Sequence, residues 1–240
     1  MKFDDVKKLT QKKYRDAFGY FLLEGEHLAL ELEKAFGANP LLCESELYVT
    51  STYEHWRSPF KTHVISERQM AQITTTKTPP GIVAVVPMLP SAAQPQGGER
   101  TLYLYEIQDP GNLGTILRTL AWFGGWRCLL SPNSVDPYNE KCVRASMGAI
   151  FHVPLELDVA LEALPARFSR IACLDLRGTG IREEGFKARD CYVFGSEARG
   201  LPHATIAEMP VETFTIQGKG PIESLNLAAA VNMCVYELCR

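Results

Sequence analysis

The most informative segment of this sequence begins Gly195-Ser196-Glu197-Ala198-Arg199-Gly200-Leu201 and ends near Tyr236. Between these points lie an apolar–polar run at 211–216, a glycine loop at 218–221 and the run Ser224-Leu225-Asn226-Leu227. The pattern predicts a strand between two glycine-bearing loops, followed by a helix that begins at Ser224, because a serine hydroxyl can cap the first turn. Such loops can hold a small ligand through main-chain groups, and they can equally be ordinary turns around a core strand.

Strands and helices are predicted to alternate from residue 101 to 240. Apolar strands are expected at 102–107, 128–130, 150–153, 171–174 and 192–194. After the first strand, a turn with Pro110 and Gly111 makes Asn112 a candidate helix cap, and Gly124 ends that helix. This order predicts a parallel sheet covered on both faces. Ligands bind such sheets at the carboxyl ends of strands, here after Ile107, Leu174, Phe194 and Ile216.

Residues 1–86 are predicted to form a small α/β domain, followed by a proline- and glycine-rich linker at 87–100. We expect a polar helix from Asp4 to Phe18, a strand at 20–23, a helix at 26–35, and short strands near Leu41, near Tyr48, at 63–65 and at 82–86. The first fifteen residues carry more cations than anions, and these could form a basic face that meets phosphate: Lys2, Lys7, Lys8, Lys12, Lys13 and Arg15. A solvated helix face would explain the same charges.

The composition argues against several classes of protein. With 46% hydrophobic and 22% charged residues and a net charge of −3, the chain is an ordinary globular sequence with no global nucleic-acid signal. It has no apolar run of about 18 residues and no secretory leader, so a cytoplasmic protein without a membrane span is expected. Seven scattered cysteines without a C-x-x-C pair predict reduced thiols and no metal site. The missing G-x-G-x-x-G and P-loop motifs disfavour an NAD oxidoreductase and a P-loop protein.

Three segments in order resemble the signatures of the SpoU (TrmH-type) RNA ribose methyltransferases, in the SPOUT superfamily. They are Asp109 to Thr119, Gly195 to Leu201, and Ile216 to Ala230. The stretch Val135 to Asn139, followed by Arg144 to Ala149, is also typical of this family. Near the N-terminus, Lys8 to Arg15, Phe21 to Gly25 and Thr76 to Ala84 resemble the family's substrate-binding module, which is similar to a ribosomal-protein RNA-binding fold. The resemblance therefore covers nearly the whole chain.

The resemblance implies an α/β domain with a deep trefoil knot, S-adenosylmethionine held in the knot, and an obligate homodimer. It implies cofactor contacts at Leu174, Gly195, Ile216, Leu225 and Asn226. It implies catalytic or substrate-ordering roles at Asn112, Arg118, Glu197, Ser224 and Asn226. Two departures, Gln217 in place of proline and Leu227-Ala228 in place of Val-Ser, lie beside the cofactor loop and remove none of these groups.

Arg118 is the proposed catalytic residue, but a guanidinium stays charged at ordinary pH and is a poor general base. We therefore expect Arg118 to grip the phosphate beside the target ribose, while a phosphate oxygen or water takes the 2′-hydroxyl proton. For Glu197 we favour a structural role over acid–base chemistry, since carboxylates also cap helices. Lys141 and Arg144, three residues apart on one helix, could contact phosphate or belong to a solvated face.

The favoured function is methylation of a ribose 2′-hydroxyl in ribosomal RNA, since the separate N-terminal module is typical of members that act on ribosomal RNA. A tRNA methyltransferase is the alternative within the same class. A non-catalytic RNA-binding protein with the same fold, acting in ribosome assembly, is the alternative from another class. The intact set of signature residues argues against the non-catalytic alternative.

Overall fold

The computed structural model describes residues 1–90 and 99–240, and the chain forms two compact units. Unit 1 comprises Met1–Pro90 together with Asp136–His152, and unit 2 comprises residues 99–135 and Val153–Arg240. The predicted linker at 87–100 falls mostly on residues 91–98, which lie outside the described residues. The predicted C-terminal domain of residues 101–240 differs from unit 2 at one place, because Asp136–His152 packs within unit 1.

A buried arginine explains why Asp136–His152 belongs to unit 1. Arg15 is 3% exposed, and its Nε and Nη2 donate to Asp136 Oδ2 at 3.0 and 2.7 Å. Its Nη1 donates to the Leu9 carbonyl at 2.9 Å. The rings of Phe21 and Tyr138 also pack with centroids 4.9 Å apart. A paired charge and an aromatic contact thus attach the segment to residues far away in sequence.

Unit 1 is built around a four-stranded sheet in the order β1-β4-β2-β3, where only the β2–β3 pair is parallel. Its strands are β1 (Tyr20–Glu24), β2 (Glu46–Val49), β3 (Lys61–Val64) and β4 (Ile82–Pro87). Its helices are α1 (Phe3–Val6), α2 (Lys12–Phe18), α3 (Glu26–Ala38), α4 (Glu67–Ile73) and α6 (Glu140–Ser146). One core cluster contains Val6, Leu9, Leu22, Tyr48, Met70, Ile73, Val83 and Val85.

Two sequence predictions for unit 1 were wrong, and one helix was missed. The helix expected from Asp4 to Phe18 is interrupted by a 3₁₀ turn at Lys7–Thr10 and by extended backbone at Gln11, so that Val6 and Leu9 can both be buried. The strand expected near Leu41 is a 3₁₀ helix, Pro40–Glu44, with proline at its start and Asn39 accepting from the Leu41 N–H. Helix α4 was not predicted, although Ser66 and Gln69 form its capping box.

Unit 2 contains the predicted parallel sheet, which is confirmed. Its six strands lie in the order β10-β8-β9-β5-β6-β7, and every pair is parallel. They are β5 (Arg100–Leu104), β6 (Trp126–Leu130), β7 (Leu155–Glu156), β8 (Ile171–Gly180), β9 (Cys191–Phe194) and β10 (Val211–Thr215). The helices are α5 (Pro110–Phe123), α7 (Leu164–Arg167), α8 (Glu184–Lys187), α9 (His203–Ala207) and α10 (Leu227–Cys239).

Two predicted elements beside this sheet were wrong. Residues 150–153 do not form a strand: Ala149–Phe151 is a 3₁₀ turn, and β7 follows at Leu155–Glu156. The turn expected directly after Leu174 is part of an irregular strand, since β8 continues to Gly180. The end of α5 at Gly124 is confirmed, with Gly124 at a φ of +65°. No helix among residues 1–90 and 99–240 is long and apolar enough to cross a membrane.

Candidate active site

Two of the predicted cofactor residues directly follow strands of unit 2, and a third lies level with the end of β9. Leu174 pairs in register with Phe194, and Phe194 pairs with Leu104 of β5. Gly195 directly follows Phe194, and Ile216 directly follows the last residue of β10. Because the strands are parallel, the loops that leave β10, β9 and β5 begin at one edge of the sheet. This edge is where open parallel sheets bind ligands.

The pairing of β10 with β8 changes register next to this edge. Thr213 is opposite Cys173, but the next residue, Phe214, is opposite Thr179, so residues 174–178 bulge out of the ladder. The Thr215 hydroxyl donates to the Leu176 carbonyl at 3.2 Å and holds the bulge against β10. A Cβ on Gly178 would lie 2.5 Å from the Thr213 carbonyl oxygen, so this close backbone approach requires glycine.

The second signature forms a tight loop directly after β9. The Ser196 and Gly200 backbones exchange hydrogen bonds at 3.1 and 3.0 Å. A Cβ on Gly195 would lie 2.2 Å from the Gly200 carbonyl carbon, so Gly195 allows the two ends of the loop to touch. The loop thereby turns the Glu197 side chain toward the first signature.

A chain of hydrogen bonds joins all three signatures. The Asn112 side-chain amide donates to Glu197 Oε1 at 3.0 Å, and the Asn226 side-chain amide donates to Asn112 Oδ1 at 3.0 Å. Glu197 also accepts from the backbone N–H groups of Gln108 and Asp109 at 3.1 and 3.3 Å. We call the set Glu197, Asn112 and Asn226 the signature network. It brings together residues 85 and 114 positions apart in the chain.

These contacts shift the acidity of Glu197. Burial raises the pKa of its carboxyl, but hydrogen bonds from the Asn112 side chain and from backbone N–H groups outweigh burial and hold the pKa below its ordinary value. Glu197 is therefore ionised at neutral pH. Its Oε1 accepts hydrogen bonds from the first signature and its Oε2 accepts from Gln108 directly before it, which supports a structural role rather than proton transfer.

Both predicted helix caps of unit 2 were wrong by two or three residues. Helix α5 is capped by Asp109, whose Oδ1 accepts from the Asn112 N–H at 2.7 Å, with Pro110 in the first turn. This releases the Asn112 side chain for the signature network. Helix α10 is capped by Asn226, not by Ser224, since Asn226 Oδ1 accepts from the Ala229 N–H at 3.2 Å.

Two candidates lie outside the signature network. Ser224 is exposed, and its hydroxyl makes no hydrogen bond with any residue that the structure describes. Arg118 is exposed on α5 and likewise has no hydrogen bond or ion pair within the described parts of the chain. It lies six residues after Asn112, about 9 Å further along the helix axis. Its guanidinium is thus available to an external anion.

The basic residues of unit 1 are less available than the sequence indicated. Lys7, Lys8 and Lys12 each lie within 2.8 Å of an aspartate carboxylate on the same segment. Arg15 is buried, so its assignment to a basic face was wrong. On α6, Arg144 donates to the Thr75 hydroxyl at 3.1 Å and lies 3.5 Å from a Glu24 oxygen.

Unit 2 also contains an open cleft of about 760 Å³ that sequence reasoning did not find. Its lining includes Asp175, Leu201, His203 and Thr213, and His203 Nδ1 lies 3.8 Å from Asp175 Oδ2. None of the predicted site residues lines it, although Cys173 precedes Leu174 and Leu201 ends the second signature. The position of Asp175 directly after Leu174, at the edge where ligands bind, was the signal available in the sequence.

The strand-end residues fit a ligand that combines a nucleoside with an amino acid. Glycines at 178 and 195 let neighbouring backbone segments pack closely, which brings the main chain of several loops together at this edge. Leu225 is 42% exposed and Ile222 is 72% exposed, so apolar side chains are available to cover a flat ring. The residue types therefore suit S-adenosylmethionine. No group of three or more metal-ligating side chains lies together in residues 1–90 and 99–240.

Comparison with known proteins agrees with this geometry. The model of the SpoU rRNA methylase family matches residues 99–236. The chain belongs to this family. A second model, the MRM3-like substrate-binding domain, matches residues 2–84 of this SpoU-family protein. Both matches fall on the segments that carry the signatures and the N-terminal module.

Relatives of the SpoU-family chain match it along nearly its full length. A 23S rRNA (guanosine(2553)-2′-O)-methyltransferase of Bacillus subtilis is 30% identical over 99% of this chain and 95% of its own. A relative from Synechocystis that is named as an uncharacterized tRNA/rRNA methyltransferase is 32% identical over 98% of this chain and 89% of its own. The AdoMet-bound rRNA methyltransferase from Sinorhizobium meliloti superposes with a TM-score of 0.83 at 26% identity, covering 98% of this chain and 93% of that one.

Proposed function

We propose that this SpoU-family chain methylates a ribose 2′-hydroxyl of ribosomal RNA. Its family makes it an RNA ribose 2′-O-methyltransferase that uses S-adenosylmethionine. Ribosomal RNA is favoured as the substrate because the substrate-binding module spans residues 2–84 and the full-length Bacillus relative is named for 23S rRNA. A ribosomal RNA substrate would also place the protein in the cytoplasm.

The signature network is the observation that carries this proposal. It connects Glu197, Asn112 and Asn226, which come from three loops or helix starts around the strand ends, so that the loops can hold one ligand between them. Leu174, Gly195, Ile216 and Leu225 would hold the cofactor through backbone groups and apolar walls. Asn226 would order the loop beside it, because one amide both caps α10 and donates to Asn112.

The cofactor supplies an electrophilic methyl group on a sulfonium, which is transferred to the ribose oxygen in one in-line displacement. The protein's contribution is mainly to position the two reactants. Arg118 would bind the phosphate next to the target ribose and orient the 2′-hydroxyl, because its guanidinium has no other anion among the described residues. A phosphate oxygen or water then accepts the proton, since guanidinium cannot. Ser224 would contact the substrate side of the loop.

Two measurements test this function. Calorimetry with S-adenosylmethionine should show one saturable binding site, and its absence would favour a non-catalytic RNA-binding protein. Mapping of 2′-O-methylation in ribosomal RNA and tRNA, from cells with and without this protein, should show one lost ribosomal site. Loss of a tRNA site alone would make the protein a tRNA methyltransferase.

We further propose a homodimer through the outer face of α5 and α10. These helices pack together, and Thr119 Oγ1 donates to Asn232 Oδ1 at 2.6 Å. Their outer surface carries an apolar ridge that includes Trp122, 84% exposed, and Tyr236, 61% exposed, with Phe123 and Met233 beside them. Contiguous exposed apolar side chains of this kind are typical of a protein interface. Arg118 lies one helical turn before Trp122, so a partner on this face would come close to Arg118.

Light scattering after size-exclusion chromatography tests this interface. Trp122→Glu should convert a dimer into a monomer, since a charge would be buried against the partner. Leu41→Glu changes another exposed apolar residue, 57% exposed in unit 1, and should leave the dimer intact. A dimer that survives Trp122→Glu would show that the ridge is not the interface.

The deep trefoil knot expected from the resemblance is also a proposal here. It is supported by the bulge of residues 174–178 beside β10 and by the return of the chain from β10 through residues 216–226 to α10. A crystal structure traced through residues 174–226 would test the threading.

A further inference from the structure

Unit 1 contains a cavity of about 280 Å³ that has no role in the methyl transfer described above. It lies between the start of α3 and the end of α6, and Glu24, Leu28, Arg144 and Met147 are among its lining residues. We propose that this cavity binds one unstacked base of an RNA strand. The proposal rests on the RNA substrate proposed above and deepens it by naming a recognition site.

Glu24 provides a buried acceptor at the cavity. Its side chain is 1% exposed, and its Oε1 accepts from the Thr75 N–H and hydroxyl, both at 3.0 Å. Its Oε2 has no hydrogen-bond donor within residues 1–90 and 99–240, and lies only at ion-pair distance, 3.5 Å, from Arg144 Nη1. A buried carboxylate oxygen without a donor is costly. An N–H group from a ligand would remove this cost.

Donors lie at the same cavity. Helix α3 has 13 residues, and its N-cap is Gly25, which has no side chain to accept from the first-turn N–H groups. Arg144 is partly exposed beside them, with a side-chain exposure of 35%; its Nη1 already faces Thr75 and Glu24, but no described group occupies its Nε and Nη2. Helix-start amides and a guanidinium together favour a phosphate oxygen. A buried acceptor and anion-binding donors at one cavity call for a ligand that carries both an N–H and a phosphate.

Met147 adds an apolar wall in a backbone conformation that is rare for its residue type. It ends α6 with a φ of +51°, in the left-handed region, and its side chain is 41% exposed although methionine is normally buried. The cost of this conformation is offset if the thioether packs on a flat ring. Leu28 lines the cavity as a second apolar residue.

A nucleotide of single-stranded RNA combines these properties. Its base has a flat face for Met147 and ring or exocyclic N–H groups for Glu24 Oε2, and its phosphate suits Arg144 and the α3 amides. Bases in loops and bulges can be unstacked and read in this way, whereas paired bases cannot. The volume is at the lower end for ligand sites, so it holds one base, with the sugar and phosphate at the mouth.

Methyl NMR of the full-length protein, labelled with ¹³C at the methionine methyl groups, tests the site directly. The chain has six methionines, and Met147→Leu assigns the signal. Nucleoside 5′-monophosphates should shift the Met147 signal saturably, whereas ribose 5-phosphate and inorganic phosphate should not. A shift of equal size with phosphate alone, or no shift with any nucleotide, would overturn the base site.

Glu24→Gln provides the matched variant. The amide oxygen of the glutamine must still accept from the Thr75 N–H, so its NH₂ group takes the position of Oε2. This NH₂ group cannot accept a hydrogen bond from an N–H group of the base. Nucleotide affinity should fall about tenfold, because a hydrogen bond to a charged acceptor is lost. Glu67→Gln, which removes the same charge from the exposed first turn of α4, should leave the affinity unchanged. Equal affinity in wild type and Glu24→Gln would contradict the proposal.

A second variant covers the case in which Glu24→Gln does not fold. Met147→Ala trims an exposed side chain, and it should weaken binding of a fluorescent single-stranded RNA roughly fivefold through lost stacking. Leu41→Ala in the same unit is the control, and equal binding by both variants would count against the site. Neither readout involves methyl transfer. A negative result in these experiments would therefore leave the proposed methyltransferase activity unaffected. Conversely, a protein that did not bind S-adenosylmethionine could still show the nucleotide-induced shift of the Met147 signal.

Discussion

Two basic regions of this molecule differ in what their charges do. In residues 1–15 of unit 1, four of the six cations face carboxylates of the protein itself: Lys7, Lys8 and Lys12 pair with aspartates on the surface, and Arg15 pairs with Asp136 inside. In unit 2, Arg118 is exposed on α5 without an anion in the described parts of the chain. Most cations in residues 1–15 therefore already have an anionic partner, whereas Arg118 can bind an external anion.

The difference shows that charge density in a sequence does not measure a phosphate site. A lysine that already faces a carboxylate gains less from phosphate, because it must give up its partner. An exposed arginine without a partner can bind phosphate through the planar array of N–H donors on its guanidinium, with no existing ion pair to break. Four variants test this contrast, in order of decreasing expected effect.

The largest effect is expected at Arg15. Arg15→Met should destabilise the fold by about 3–5 kcal/mol, because it leaves the carboxylate of Asp136 buried and unpaired. Urea unfolding of both proteins measures this loss. Lys7→Met removes a cation from an exposed pair and is the control, with an expected change below about 1 kcal/mol. Equal stability of the two variants would mean that Arg15 belongs to the surface after all.

Arg118→Ala should reduce methylation by about 100-fold or more, the cost of losing a positioned charge at a reacting group. Affinity for S-adenosylmethionine should stay near normal, because Arg118 is outside the signature network. Single-turnover methylation and calorimetry separate the two. Arg118→Lys keeps the positive charge but lacks the paired N–H donors of the guanidinium, so its methylation rate should be intermediate. Wild-type turnover of the alanine variant would remove Arg118 from the mechanism.

Glu197 is a carboxylate held by amide donors rather than by a cation, and its effect should depend on pH. Its folded-state pKa lies below the ordinary value of 4.5. The stabilisation is therefore complete above about pH 4.5 and is lost as pH falls through the folded-state pKa. Glu197→Gln should lower stability by at most about 1 kcal/mol at neutral pH, since the group is exposed and screened.

Thermal unfolding of wild type and Glu197→Gln between pH 3 and pH 8 checks this sign. The gap between the two melting temperatures should be constant at neutral pH and close in acid. A gap that widened in acid would mean that folding raises the pKa of the Glu197 carboxyl instead of lowering it. Glu67→Gln, which removes a charge from the exposed first turn of α4, is the control measured in the same way.

The smallest effect is expected for the triple variant Lys7→Gln, Lys8→Gln and Lys12→Gln. RNA affinity should fall less than about threefold, and the slope of log affinity against log salt should change by less than about one, because these lysines already face aspartates. Filter binding over a series of salt concentrations measures both. A steep loss would restore the basic face that the sequence indicated.

Much of the fold was predictable because its signals are local. Alternating apolar runs gave the strands of unit 2, and Gly124 ended α5 where expected. Predictions were wrong where burial outweighed the local sequence pattern. The run at 150–153 is apolar but begins in a 3₁₀ turn, and the helix expected at 4–18 is interrupted so that Leu9 is buried in the core. Cap positions also failed, since Ser224 and Asn226 are both good N-caps and only the fold selects Asn226.

The candidate site was predictable in its residues but not in its connections. The signatures named Asn112, Glu197 and Asn226 without indicating that their side chains bond in one chain. Asp175 and His203 were missed because the only signal was the position of Asp175 directly after Leu174, and a single histidine carries no pattern. Asp136–His152 was assigned to the wrong neighbours, because its tie to Arg15 spans 121 positions.

The sequence by itself determined which backbone could form: parallel strands, glycine loops at their ends, and a family whose signatures lie on those loops. These features depend on side chains within a few positions of one another, because the spacing of apolar residues and the residue types in turns set the local backbone conformation. Only the tertiary structure decided which charges are occupied and which are available. That depends on groups brought together across the chain, because a cation's value to RNA is set by the nearest carboxylate in space and not by its neighbours in sequence.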